Sequence, residues 1–182
     1  MSFLKDFSCD YRRMTGNNIT VFSSLFNIVF RRHIRYMFYI RLLQDEKYII
    51  LKPIITVLRI VLSRKTGIEI LPQTKIGAGF RMVHPYNITI NENAIVGENV
   101  NMYKGSTIGI SAGKRHGVPS IGNKVQIGIN STVIGKIHIG NDVLIAPNTL
   151  VNFDVPSHSV VIGNPAKIIH KENATRDYVY FC

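Results

Sequence analysis

Three side chains with usable chemistry sit where the surrounding pattern of this sequence breaks. His84 stands in "MVHPYNIT" (82–89), and Arg115 and His116 stand side by side in "GKRHGVPSIG" (113–122). An imidazole with an ordinary pKa near 6.5 gains and loses its proton close to neutral pH, so His84 can act as an acid or a base. A basic pair on an extruded loop can bind an anionic substrate or cap a neighbouring site. Against these readings, loop histidines are usually solvated, and the same breaks would suit a scaffold with no chemistry. His33, His138, His158 and His170 have no ligand spacing with each other or with acidic residues, so no metal site is expected. Cys9 and Cys182 lie at opposite ends of the chain, which gives no disulfide framework and reads as free thiols in a reducing cytosol.

What positions these residues is a repeat of six. From Ile70 onward, units such as "IGAGFR" (76), "VGENVN" (96), "IGNKVQ" (121), "IGNDVL" (139) and "IAPNTL" (145) each begin with an aliphatic residue, usually followed by a small or polar one. The fifth place is small or β-branched, as at Ala94, Val100, Ser106, Val125, Ser131, Ile137, Val143, Thr149 and Val155. Six residues are too few for a helical repeat, and a strand alternating in and out would repeat every two. The unit suits a short strand and a turn, three units closing a triangular coil whose first residues point inward. About four coils fit between Ile70 and Val155, stacked at about 4.8 Å. The expected fold is mainly β, a parallel β-helix.

The sixes fail twice: Met82 to Ile90 spans eight residues, and Ile108 to Ile121 spans thirteen. Corner insertions leave such a ladder intact. Counting faces through both breaks stacks Met82, Met102, Ile127 and Ile145 on one face. Two residues further along, His84, Lys104, Ile129 and Pro147 form a second column, climbing about 14 Å.

Residues 1–66 have the texture of helices instead. In "TVFSSLFNIVFRRHIRYMFYIRLLQDE" (20–46), Val21, Leu25, Ile28 and Val29 recur at helical spacing, and Phe22, Phe26, Phe30, Tyr36 and Tyr39 thicken the stripe. Such a helix should be buried on two sides or lie against a partner, with core packing favoured for its aromatics. This third carries 12 Lys and Arg against 4 Asp and Glu, out of a net charge of +11. A nucleic-acid surface, a patch for an anionic membrane or lipid-linked substrate, and a solvated helix face all fit that excess; no nucleic-acid motif accompanies it. The start "MSFLKDFSCDYRRM" lacks the pattern of a signal peptide, and "YIILKPIITVLRIVL" (48–62), interrupted by Lys52, Pro53 and Arg59, is too short to cross a bilayer. A cytoplasmic protein is expected.

The hexads, the tail "VVIGNPAKII" (160–169) and the interruption "GKRHGVPSIG" resemble the left-handed β-helix acyltransferases of the hexapeptide-repeat family. Within it the likeness is to serine acetyltransferases and to polysaccharide O-acetyltransferases of the serine acetyltransferase type. It covers residues 67–170 strongly and the helical region, 1–66, more loosely, leaving 171–182 as a tail. Left-handed coiling is carried over from this resemblance.

The resemblance implies an enzyme that uses acetyl-CoA, laid along a corner between subunits of a homotrimer, with His84 as the general base that takes the acceptor's hydroxyl proton. It implies Glu69, fifteen residues earlier, as the carboxylate that orients His84. Arg115 and His116 take the place of a substrate-recognising pair, and Tyr86 and Asn87 are close enough in sequence to touch the acceptor. For CoA it points to the column of Lys104, Ile129 and Pro147, to the backbone of Gly109, and to Lys167 at the phosphates. Pro147 has no N–H, so one backbone contact is lost there. Serine acetyltransferases carry an aspartate just before the histidine to hold the amino group of serine; here that place is Val83. The expected acceptor is therefore a sugar hydroxyl, in a capsule or exopolysaccharide precursor at the inner membrane face. A serine O-acetyltransferase and a non-catalytic assembly protein are the alternatives. No nucleic acid is expected as a partner.

Overall fold

The computed structural model describes residues 3–180, so Cys182 lies outside the described residues. From Glu69 the hexads become strands of two or three residues. The first coil holds β1 (Glu69–Ile70), β2 (Lys75–Ile76) and β3 (Arg81–Val83), and the second β4 (Thr89–Ile90), β5 (Ile95–Val96) and β6 (Asn101–Tyr103). The third holds β7 (Thr107–Gly109), β8 (Ser120–Ile121) and β9 (Gln126–Ile127), and the fourth β10 (Thr132–Ile134), β11 (His138–Ile139) and β12 (Val143–Ile145). A fifth begins with β13 (Leu150–Val151), passes through a bridge from Val155 to Ile139, and ends with β14 (Ser159–Gly163). An antiparallel strand, β15 (Ala166–His170), then pairs with β14. Four complete coils thus fit before Val155, with the fifth closing just after it.

Three parallel ladders run up the stack: β1-β4-β7-β10-β13, β2-β5-β8-β11, and β3-β6-β9-β12-β14. The registers are those of the hexad count. Met82 pairs with Met102, Met102 with Ile127, and Ile127 with Ile145. Every first-place residue from Ile70 to Val151 is buried, and so is every fifth-place residue named above. The fifth place is small or β-branched because it turns inward beside a corner, where the prism is narrowest.

Two of the three corners are made by stacked left-handed residues. One column consists of Gly67, Asn87, Gly105, Asn130 and Asn148, all with φ between 52° and 71°. The other is Gly79, Asn99, Lys124, Asp142 and His158. Glycine and asparagine enter this region at least cost. In the first column a Cβ on Gly105 would stand 2.1 Å from Asn130 Oδ1, so the glycine also makes room for the asparagine of the next coil.

The helices close the lower end of the stack. They are α1 (Phe3–Thr15), α2 (Val21–Phe30), α3 (Arg32–Gln44), a 3-10 turn at Glu46–Leu51, and α4 (Lys52–Thr66). The first coil has no strand beneath it, so its backbone needs other partners. Side chains supply them. The Tyr36 hydroxyl reaches the carbonyls of Ile68 and Ile70 and accepts from the Ile70 N–H, all within 3.2 Å. Arg41 donates to Ile76 and Gly77 at 2.7 Å, and Gln44 to Pro72 and Thr74. Arg13 of α1 donates to Gly79 and to the Asn101 side chain. Gly67, left-handed at φ 66°, ends α4 and starts the first corner.

Two expectations for this region fail. The stripe from Thr20 to Glu46 is not one helix: Arg31 is extended (φ −105°, ψ 106°) and separates α2 from α3. The break lets α3 lie across the coil with Tyr36, Met37 and Ile40 fully buried. Phe22, Phe26 and Phe30 are not core either; α2 has no buried residue at all. Its inner contacts are mainly polar, with Ser23 and Asn27 on the Tyr11 hydroxyl and only Ile28 packed on the apolar cluster below, and that turns its aromatics outward.

Candidate active site

The two-residue excess after Met82 lies at the corner between β3 and β4. It bulges outward: His84 is exposed, and the Tyr86 N–H donates to the His84 carbonyl at 2.8 Å, a tight three-residue turn. His84 has φ 51° yet belongs to neither corner column. A left-handed histidine costs about 1–2 kcal/mol, which the turn and the flanking ladders must hold. Its ring has no hydrogen-bond or ion-pair partner among the described residues. It is presented to whatever lies beyond the corner.

Above it the expected column is in place. The Lys104 N–H donates to the Val83 carbonyl, Asn130 to Lys104, and Asn148 to Ile129, so His84, Lys104, Ile129 and Pro147 follow one another up the corner. Beside it runs a groove of about 260 Å³, lined by Tyr103, Gly128, Ile129, Leu144, Pro147 and Tyr178. Tyr178 comes from the C-terminal tail, which folds back across this face. The Asn101 side chain donates to the Tyr178 carbonyl at 2.9 Å, and the Arg81 guanidinium lies 5.1 Å over the Tyr180 ring. Burial pushes the Tyr103 hydroxyl above the usual phenol range despite the opposing charge of Arg81, so it stays protonated at neutral pH. The groove is lined mostly by apolar side chains, with Tyr103, Tyr178 and Gln126 as its polar groups. Sequence reading missed the two tyrosines: Tyr103 is an outward residue of an ordinary hexad, and the aromatic run "DYVYF" was the one sign that the tail docks.

The tail is held at its root by Asp142, which accepts from the N–H groups of Ala174 and Thr175, the Thr175 hydroxyl and His158 Nδ1, all within 3.0 Å. Burial works to raise its pKa, but these four bonds outweigh it and hold the carboxyl below the usual carboxylate range.

Other expected site residues fall elsewhere. Glu69 does not meet His84. Its carboxylate accepts from the Thr89 hydroxyl at 3.5 Å, because Glu69 stands under Thr89, already past the corner and on the open side of the first face. It lines a separate cleft with Arg59, Arg64 and Asn91 under α4. Asn87 is a corner residue: its side chain covers Gly67 and its N–H donates to Thr66. Tyr86 is half exposed, and its hydroxyl accepts from Arg32 at 3.1 Å.

The long loop leaves the corner between β7 and β8, at the opposite edge of the first face from His84. Ser111 and Gly117 close its base as an antiparallel bridge. Arg115 pairs with Asp154 at 2.8 Å, and His116 is exposed. Gly109 shares this far corner and so does not join the His84 column. Lys167 is exposed on β15, two residues after the Asn164–Pro165 cis peptide. One chain therefore brings together His84, Lys104, Ile129 and Pro147, and leaves Arg115, His116 and Gly109 apart from them. Among the described residues no group of three or more His, Cys, Asp or Glu could hold a metal ion.

Residues 119–152 match the family described as bacterial transferase hexapeptide (six repeats). The chain is 41% identical over 110 residues to a serine acetyltransferase of Helicobacter pylori, covering 59% of this chain and 63% of that one. It thus spans less than two thirds of that relative. Among solved structures, a serine acetyltransferase of Neisseria gonorrhoeae superposes with a TM-score of 0.72 at 26% identity, over 93% of this chain and 65% of that one. A serine acetyltransferase in complex with CoA superposes with a TM-score of 0.73 at 22% identity, over 92% of this chain and 70% of the other, a likeness of fold. The stacked hexads, the family match over residues 119–152 and these superpositions agree on the fold: the chain forms a left-handed β-helix of hexapeptide repeats and is similar to the serine acetyltransferases.

Proposed function

We propose that the protein is an acetyl-CoA-dependent O-acetyltransferase in which His84 is the general base. The observation that carries this reading is His84 itself, unpartnered and exposed on a left-handed bulge at the foot of the corner column. The groove beside that column is the place for the thioester arm. The Ile129 N–H is a donor toward it, Pro147 offers none, and Lys104 and Lys167 supply positive charge. His84 takes the proton of the acceptor hydroxyl as that oxygen bonds to the thioester carbonyl carbon. The C–S bond breaks, and the imidazolium returns its proton to the departing thiolate. No acetyl-enzyme is needed: neither cysteine is near this corner in sequence.

Serine is the acceptor that the relatives' names support. A sugar hydroxyl is the second reading, and it rests on Val83. An aliphatic side chain ends β3 next to His84, where a carboxylate would be needed to form a charge-assisted bond to an ammonium group. A homotrimer is part of the proposal, because Arg115 and His116 sit at a different corner from His84 and could join it only from a second subunit. Glu69 enters the mechanism only in a rotamer other than the one it adopts against Thr89. Glu69→Gln tests that: a tenfold fall in kcat at constant KM would assign it an orienting role.

The test is acetyl transfer from acetyl-CoA to serine and to a panel of nucleotide-linked and lipid-linked sugars. His84→Ala is expected to lower turnover more than about 100-fold. Near-normal turnover in that variant, or no binding of CoA by calorimetry, would leave a β-helix scaffold without chemistry.

A further inference from the structure

Helix α2 has its amphipathy reversed. Ser23, Ser24, Asn27 and Ile28 face the protein, where the Tyr11 hydroxyl donates to Ser23 Oγ at 3.1 Å and accepts from Asn27 Nδ2 at 2.7 Å. Val21, Phe22, Leu25, Phe26, Val29 and Phe30 face outward, each between 55% and 85% exposed. The Phe26 and Phe30 rings lie 4.6 Å apart on that outer side. A surface helix normally turns its apolar stripe to the core. Here the fold is specific about the opposite choice: a Thr20–Ser23 capping box fixes the start of the helix, and two polar side chains pin its inner side. Contiguous exposed apolar surface of this kind marks an interaction site.

Charge decides the partner. Residues 21–30 contain no charged side chain, and Arg31 and Arg32, both exposed, follow at once. Residues 1–66 hold 12 Lys and Arg against 4 Asp and Glu, and of those acids Asp6 and Asp10 are buried. A second copy docked on α2 would bring the same excess of cations against it. An anionic bilayer would complement it.

We infer that α2 is a membrane-surface element: its outer side chains enter the interface of an anionic bilayer while Arg31 and neighbouring cations meet the headgroups. Ten residues of helix are about 15 Å long, half of what a span requires, so the helix lies flat. Consistent with that, no helix of the described residues is long and apolar enough to cross a membrane. The inference does not depend on the chemistry proposed for His84.

The test is flotation of the full chain with vesicles of phosphatidylcholine, alone or mixed with phosphatidylglycerol, with molar mass measured by light scattering in their absence. Wild type is expected to float with the mixed vesicles and to bind pure phosphatidylcholine at least about tenfold more weakly. Phe22→Ser/Phe26→Ser, and separately Leu25→Ser/Val29→Ser, are expected to lose at least tenfold in binding while keeping wild-type melting, mass and CoA affinity. No flotation of wild type with anionic vesicles would overturn the inference, as would equal flotation of both double variants. A variant mass lower than that of wild type, by half or by two thirds, would also overturn it, because the face would then be holding another copy of the chain.

Discussion

His33 stands in no motif and no metal-ligand spacing, yet its surroundings set it apart. Burial, aided by the charges of Arg31 and Arg81, lowers its pKa to about 4. The unfolded chain takes up that proton near pH 6.5, whereas the folded chain resists it until about 4. The contribution of His33 to stability is therefore full above pH 6.5 and is lost as pH falls from there toward 4. His33→Gln should flatten the stability curve in that interval, measured as the wild-type minus variant difference in urea midpoint at pH 7 and pH 4.5. His84 shows the opposite case. It was legible because it interrupts a count, and the structure places it at the corner that the count implied. Glu69 was placed against it by a spacing of fifteen residues, but spacing along a chain does not say on which side of a corner a side chain stands. Asn87 was read as a substrate contact because it is a polar neighbour of His84. A left-handed φ and the cover it gives Gly67 show why asparagine is there.

At the scale of elements, the hexad was almost fully legible. Its period of six, an inward first place and a small fifth place are each imposed by packing inside a triangular prism, and packing leaves a mark in composition. The second-place glycines have a cause that composition alone did not reveal. At the corner between the second and third faces, a Cβ on Gly77, Gly97, Gly122 or Gly140 would lie within 2.7 Å of an atom of the next coil. The column of Gly67, Asn87, Gly105, Asn130 and Asn148 is similarly strict. Gly105→Ala must place a Cβ at φ 71° and against Asn130 Oδ1, and is expected to destabilise the protein by about 2–4 kcal/mol. Gly113→Ala, whose new Cβ meets nothing closer than 3.7 Å and whose backbone is not left-handed, should cost less than about 1 kcal/mol. Thermal melting of the two variants checks the contrast. The split of residues 20–46 into α2 and α3 was not legible. A stripe of apolar residues marks a helix but not where tertiary contacts bend it.

At the scale of the whole molecule, a buried ion pair between α1 and α3 ties both helices to the coil, because Arg41 also donates to the carbonyls of Ile76 and Gly77 and Asp10 accepts from the Phe80 N–H. Arg41 and Asp10 meet at 2.8 Å, both almost wholly buried. Burial pushes the Asp10 carboxyl above the usual range, and Arg41 and the Phe80 N–H pull against it. Asp10→Ala would leave Arg41 charged and buried without its carboxylate, at a cost of about 3–5 kcal/mol. Denaturant unfolding should show this as a loss of the cooperative transition shared by helices and coil. No sequence pattern announced the pair, since its partners are 31 residues apart and belong to two helices. At the other end of the stack, β15 runs antiparallel to β14 and offers Lys167 and His170 at its edge. A parallel ladder can in principle be extended without limit, because its last strand is a template for the next. Reversing direction and placing the Lys167 cation there removes that template from the third face. On that face the turn of the chain ends the ladder, and it works against a second molecule stacking there end to end.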